Sequence, residues 1–87
     1  MKIKLHKVFV KHFDKRIKPN SNLLNQFQLR LQTFMSDTSH PILHDHKLSG
    51  QKQNYRAFSI TGDIRVVYII KGNTAHFLDI GSHNQVY

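Results

Sequence analysis

The 87-residue sequence contains no cysteine, no tryptophan and no glutamate. Without cysteine there is neither a disulfide framework nor a thiolate metal site, so packing must hold a small fold together. That absence also fits a reducing cytoplasm, the compartment expected here. Two prolines and four glycines leave no Pro- or Gly-rich linker. Long apolar runs are missing too. The longest, Val66-Val67-Tyr68-Ile69-Ile70, falls far short of the ~20 residues a membrane-spanning helix needs. The basic N-terminus is not followed by an unbroken apolar stretch, so neither a signal peptide nor a membrane partner is expected. With no glutamate, five aspartates face thirteen Lys and Arg, a formal charge of +8. Seven of the thirteen lie in the first 18 residues: Lys2, Lys4, Lys7, Lys11, Lys15, Arg16 and Lys18. So large an excess on so short a chain points to a polyanionic partner, whether RNA, DNA or an acidic protein segment. The competing reading is a basic face that only aids solubility. Seven histidines add groups able to exchange protons near neutral pH.

The length predicts one domain, residues 1–87, and 39% apolar residues supply one core rather than two. Residues 2–6 alternate as Lys-Ile-Lys-Leu-His, which predicts a short strand with Ile3 and Leu5 inward. From Lys7 the spacing changes. Phe9, Phe13 and Ile17 recur at helical intervals, and Pro19-Asn20 ends that element. Ser21 is a candidate cap for a second helix. Its apolar stripe is Leu23, Leu24, Phe27, Leu31, Phe34 and Met35, and it ends near Ser36-Asp37. Residues 36–54 read as polar loop. Three strands are then predicted, Tyr55 to Ile60, Ile64 to Ile70 and Thr74 to Ile80, with turns at Thr61-Gly62-Asp63 and Lys71-Gly72-Asn73. The expected fold is α+β: an N-terminal strand, a helical hairpin, and a three-stranded antiparallel meander, in the order β-α-α-β-β-β. The hairpin should cover one face of an antiparallel sheet and leave the other more open.

Four segments carry more than pattern. His44-Asp45-His46-Lys47-Leu48-Ser49-Gly50 contains an Asp-His-x-Leu-x-Gly motif. Tyr55-Arg56 opens the first predicted strand of the meander, and Asp63-Ile64-Arg65-Val66-Val67-Tyr68 opens its middle one. Gly81-Ser82-His83-Asn84-Gln85-Val86-Tyr87 closes the chain. In this order and spacing the chain resembles the RelE/ParE toxin superfamily, nearest its YafQ-like, mRNA-cleaving branch. The resemblance covers nearly the whole chain, with the specific motifs confined to residues 44–87. It implies the RelE-like fold and the toxin of a type II toxin–antitoxin system. Such a toxin is a ribosome-dependent endoribonuclease that cuts mRNA in the ribosomal A site without a cofactor. Its cognate antitoxin is expected to be acidic and partly disordered when free, and DNA would be bound only through it. Ser59 stands where the YafQ branch often has a further histidine, and Ile64 where it often has tryptophan. Arg65 looks more like the RelE branch.

RNA carries its own nucleophile, the 2′-hydroxyl beside the scissile phosphate. A base must take its proton, an acid must protonate the leaving 5′-oxygen, and a cation must stabilise the phosphoryl oxygens. No metal is needed for that. By resemblance, His83 is the candidate general acid. His46 is a candidate base or phosphate ligand, and Asp63 a candidate base or orienter of a histidine. Arg65 interrupts an apolar run, which suits a guanidinium emerging to meet phosphate. The alternative for Arg65 is a salt bridge to Asp63 or Asp79. Tyr87 aligns with the family's C-terminal aromatic and is a candidate for stacking on a base. Lys47, Lys52 and His44 are candidate RNA contacts. His40, His44 and His46 have tempting metal-ligand spacing, but they flank Pro41 in a loop with no cysteine nearby, so no metal site is expected. Two other functions stay open: a ParE-like inhibitor of DNA gyrase, against which His46, Asp63 and His83 argue, and a non-catalytic module that binds RNA or antitoxin.

Overall fold

In the computed structural model, which describes residues 1–50 and 54–87, the chain enters through a short strand, β1 (Lys2–Leu5). It passes at once into α1 (Lys7–Arg16) and α2 (Ser21–Ser36). Phe9 in α1 and Ile17, which caps its C-terminal end, are 1% and 0% exposed. The hairpin closes on itself through Phe13 and Phe27, whose rings meet edge-on at 4.9 Å. The cap of α2 is Asn20 rather than the expected Ser21. Asn20 keeps extended backbone, and its side-chain oxygen accepts the Leu23 N–H at 3.2 Å, which makes Ser21 the first helical residue. Of the predicted α2 stripe, Phe27 and Phe34 are buried, while Met35 is exposed at the helix end.

The segment expected to be plain loop carries two short elements, a 3₁₀ turn at Pro41–Leu43 and a two-residue strand, β2 (His46–Lys47). Leu43 anchors it in the core. The meander follows as β3 (Arg56–Ser59), β4 (Ile64–Lys71) and β5 (Thr74–Ser82). The sheet order is β1-β5-β4-β3-β2. Every neighbouring pair is antiparallel except β1 and β5, which pair in parallel from Lys2↔Thr74 to Leu5↔Phe77. The sheet is therefore mixed rather than wholly antiparallel. A parallel pair needs a long connection, and the helical hairpin and meander between the two strands provide it.

The helices cover one face of the sheet. There Phe34 stacks on Phe58 at 4.6 Å and meets Tyr68 edge-on at 5.0 Å, with Phe77 beside them. Each such ring contributes on the order of 1.5–3 kcal/mol by leaving water. The other face holds a smaller cluster, Leu48, Ala57, Val67 and Val86. It is partly covered by α3 (His83–Val86), which follows β5 directly. Ile70, near the far end of β4, is 43% exposed. Among the described residues no helix is long and apolar enough to cross a membrane.

Candidate active site

A pocket of about 390 Å³ opens beside the β3–β4 turn. It is lined by Arg30, Ile42, His44, His46, Ser59, Thr61, Gly62, Arg65, His83 and Tyr87. These residues come from α2, the 3₁₀ turn and β2, the β3–β4 hairpin, and α3. Alternation along β3 and β4 places Ser59 and Arg65 opposite one another and off the helix-covered face, where Phe58 and Val66 sit.

The C-terminal part depends on Gly81. The Gln85 Oε1 accepts the Ser82 N–H at 2.8 Å, tying the start of α3 to β5. A Cβ at position 81 would sit 2.6 Å from that oxygen and 2.6 Å from Arg16 Nη1, so only glycine fits without a shift. The Asp63 carboxylate accepts the backbone N–H of His83 at 3.4 Å. Held this way, α3 presents His83 and Tyr87 one turn apart, with their rings edge-on at 4.4 Å. Burial raises the Tyr87 phenol above its usual value, and the charge of Arg65 opposes that shift only in part. The phenol thus keeps its proton at neutral pH.

His46 reaches the pocket from β2. Its Nδ1 lies 2.9 Å from the carbonyl oxygen of His44. A carbonyl can only accept, so Nδ1 carries the proton. In the neutral ring Nε2 is therefore the basic nitrogen. That Nε2 faces the Tyr87 hydroxyl at 3.5 Å, the outer limit of a hydrogen bond. His44 takes a left-handed conformation, φ 48°, to close the 3₁₀ turn and bring its carbonyl round.

Two arginines face this pocket. Arg65 donates from Nη1 to the Ser59 hydroxyl at 2.7 Å and from Nη2 to the Gly62 carbonyl at 3.4 Å. Its Nε is buried with no hydrogen-bond partner. The alternative of a salt bridge is not what forms: Asp79 pairs with His12 at 2.6 Å and Arg16 at 3.9 Å, and Asp63 serves His83. Arg30 donates from Nη1 to the carbonyls of Ile42 at 2.9 Å and Ser59 at 3.2 Å. Sequence reasoning missed Arg30, although it is the only charged residue in α2.

Of the candidates named from sequence, His44, His46, Arg65, His83 and Tyr87 line one pocket. Asp63 does not line it and acts on the His83 backbone. Lys47 is exposed on β2 and outside the lining, and Lys52 lies outside the described residues. The remaining histidines have other partners. His6 Nε2 and His76 Nδ1 share a hydrogen bond at 2.8 Å, His12 bonds Asp79, and His40 accepts the Ile42 N–H at 3.1 Å. Among the described residues no three His, Asp or Glu side chains gather to hold a metal ion.

Beside the pocket, and sharing His44 with it, lies a contrasting cluster. Asp45, between His44 and His46, turns inward, with its side chain 6% exposed. Arg56 donates to its Oδ1 from Nε and Nη2, both at 2.7 Å. The Tyr68 hydroxyl donates to its Oδ2. Burial, and then the bond to Asp45, raise the Tyr68 phenol well above its usual range. On Arg56, burial works against the charge but is outweighed by Tyr68 and Asp45, so its proton is held more tightly.

Comparison with known proteins gives a consistent result. Residues 1–87 match the model of a family described as "Bacterial toxin of type II toxin-antitoxin system, YafQ". Among solved structures, a copper-bound mutant toxin from Helicobacter pylori is 29% identical at a TM-score of 0.78, the match covering 100% of this chain and 99% of that one. YafQ in the E. coli DinJ–YafQ toxin–antitoxin complex is 21% identical at a TM-score of 0.72, covering 98% and 94%. A YoeB/ParE toxin from Agrobacterium tumefaciens is 14% identical at a TM-score of 0.79, covering 95% and 99%. The last two likenesses speak for the fold alone. No curated protein sequence matches the chain.

Proposed function

The chain belongs to the YafQ family of bacterial type II toxins, and on that premise we propose that it is an endoribonuclease that cuts mRNA on the ribosome. The observation that carries this reading is the meeting of His46, Arg65, His83 and Tyr87, from three separate stretches of chain, in one pocket. In the proposed reaction His46 Nε2 takes the proton of the 2′-hydroxyl. The 2′-oxygen attacks phosphorus, the bond to the 5′-oxygen breaks, and His83 in its protonated form gives that oxygen a proton. Arg65 stabilises the charge on the phosphoryl oxygens with the N–H groups that Ser59 and Gly62 leave over. Tyr87 supports a flanking base by stacking. Every step uses groups of the chain and the RNA, so the reaction as proposed is metal-independent and needs no cofactor. Asp63 acts as a positioning residue through the His83 backbone, and His44 through its carbonyl on His46. Lys47 and Lys52 are proposed as contacts to RNA outside the pocket.

The proposed setting is the cytoplasm, with the ribosome and mRNA as targets. The basic chain suits an acidic antitoxin that is partly disordered when free, and DNA would be reached only through that antitoxin. A YafQ toxin has been solved in complex with the antitoxin DinJ, which supports an antitoxin partner here.

The test is His83→Ala, expressed at the wild-type level. Loss of one positioned acid should slow cleavage by roughly 10²–10⁴-fold, without a change in melting temperature. Mapping mRNA 5′ ends on stalled ribosomes reads the cleavage directly. A variant that stays fully toxic defeats the assignment. Intact mRNA with DNA damage would indicate gyrase as the target, and absence of growth arrest would indicate a binding module.

A further inference from the structure

We propose that Arg30 is a second phosphate-binding cation of the pocket, taking the phosphate next to the one at Arg65, so that the site grips a strand segment of at least two phosphates. The proposal rests on the nuclease reading and adds the length of strand the pocket recognises.

The argument starts with where Arg30 comes from. The stripe of α2 is otherwise neutral, and a single guanidinium leaves it to reach the pocket between Ile42 and Ser59. Its partners there are two backbone carbonyls. Carbonyls fix the direction of the group but do not cancel its charge. The ion pairs among the described residues are His12–Asp79, Arg16–Asp79 and Arg56–Asp45, and none involves Arg30 or Arg65. No aspartate lines the pocket. Two half-buried cations without a counter-charge are costly unless an anion completes the site.

One residue sets the spacing of the pair. Ser59 holds Arg65 by its hydroxyl and Arg30 by its carbonyl. The second ties differ: Arg65 is held by Gly62 and Arg30 by Ile42, so the two guanidiniums enter from different elements, β4 and α2. A phosphodiester carries one negative charge, and one guanidinium matches its two free oxygens. With Arg65 on the scissile phosphate, the second cation of the same pocket is therefore matched by the next phosphate of the strand.

The probe is an RNA with every 2′-oxygen methylated, so that binding is read without cleavage. A dinucleoside monophosphate and a trinucleotide with two phosphates are compared by NMR titration against the full chain. For the trinucleotide, Arg30→Gln should weaken binding roughly tenfold. It should also lower the slope of log K against log salt by about 0.7, the loss of one phosphate contact on a single strand. For the one-phosphate ligand, Arg30→Gln should change nothing. Arg30→Lys, which keeps the charge, should restore the salt slope. Equal affinities of wild type and Arg30→Gln for the trinucleotide would overturn the proposal. An equal loss on both ligands would also overturn it, because Arg30 would then act on the same phosphate or through the fold. Wild type that binds neither ligand would sink the nuclease pocket itself, and the proposal with it.

Discussion

Arg56 and Arg65 lie on adjacent strands of one hairpin, yet their surroundings are opposite. Arg56 gives two N–H groups to a buried carboxylate, and Tyr68 fills the other oxygen of that carboxylate. Arg65 meets a hydroxyl and a carbonyl, and its Nε is buried unmatched. A guanidinium paired with a carboxylate has its charge neutralised at home and becomes part of the framework. A guanidinium held by neutral oxygens has its direction fixed and its charge left for a ligand. Counting basic residues cannot separate the two cases; identifying what holds each one can.

The contrast breaks most sharply in a pair of variants. Arg65→Ala should cut RNA cleavage by roughly 10²–10³-fold, as the loss of a preorganised group on a developing charge does. Its melting temperature should barely move. Arg56→Ala should do the reverse. It leaves Asp45 buried without its cation, and with Arg56 itself partly exposed the cost is about 2 kcal/mol, between the values for exposed and buried pairs. Cleavage per folded molecule should fall far less than in Arg65→Ala. Thermal unfolding and primer-extension assays read the two axes. Equal losses of stability in the two variants would erase the distinction.

Much of this was legible in the sequence, for identifiable reasons. The 3.6-residue spacing of Phe9, Phe13 and Ile17 reflects one-sided burial, and burial is what the structure shows there. The alternation in β1 marked the strand but only half of its inner face: Ile3 packs on the core, whereas Leu5, expected inward, is 50% exposed on this edge strand. Gly62-Asp63 and Gly72-Asn73 marked the two hairpin turns of the meander. The parallel pairing of β1 with β5 left no local signal, because strand direction is decided by the whole connection. The α3 turn was hidden as well: it is fixed by Gly81 and Gln85 together, a contact visible only once β5 is in place. Of the charged and histidine residues that line the pocket, those inside a motif were named from the sequence and Arg30 was not. Arg30 belongs to no motif, and its single charge in α2 was the only trace. Asp45 sat in plain view inside a motif, but its burial, not its identity, gives it a role.

The framework half of the comparison can be sharpened at Asp45. Its two sequence neighbours, His44 and His46, both line the pocket, so the buried carboxylate acts as their anchor. Asp45→Asn keeps the shape and removes the charge. It should cost about 1–1.5 kcal/mol, the value of charge-assisted bonds weakened rather than deleted. The His46 ring should lose its fixed bond to the His44 carbonyl for part of the time, with cleavage falling several-fold. The readout that separates positioning from general destabilisation is cleavage per folded molecule. A looser His46 should lower it several-fold, whereas plain destabilisation would leave it unchanged.

The smallest effect concerns the third member of that network, Tyr68. Its phenol holds a proton more tightly folded than unfolded, because of burial and then its bond to Asp45. A group with a raised folded value contributes stability that is whole below its unfolded pKa and is lost as pH rises beyond it. For tyrosine the loss begins near pH ~10. Wild-type melting temperature should therefore fall as pH climbs past that point, and Tyr68→Phe should flatten the fall. Below it, Tyr68→Phe should cost only about 1 kcal/mol, since Arg56 still satisfies one side of Asp45. Tyr87 is raised too, but it is more exposed, so Tyr87→Phe should flatten the alkaline limb less. A Tyr68→Phe curve as steep as wild type would place the alkaline loss elsewhere and detach Tyr68 from the framework.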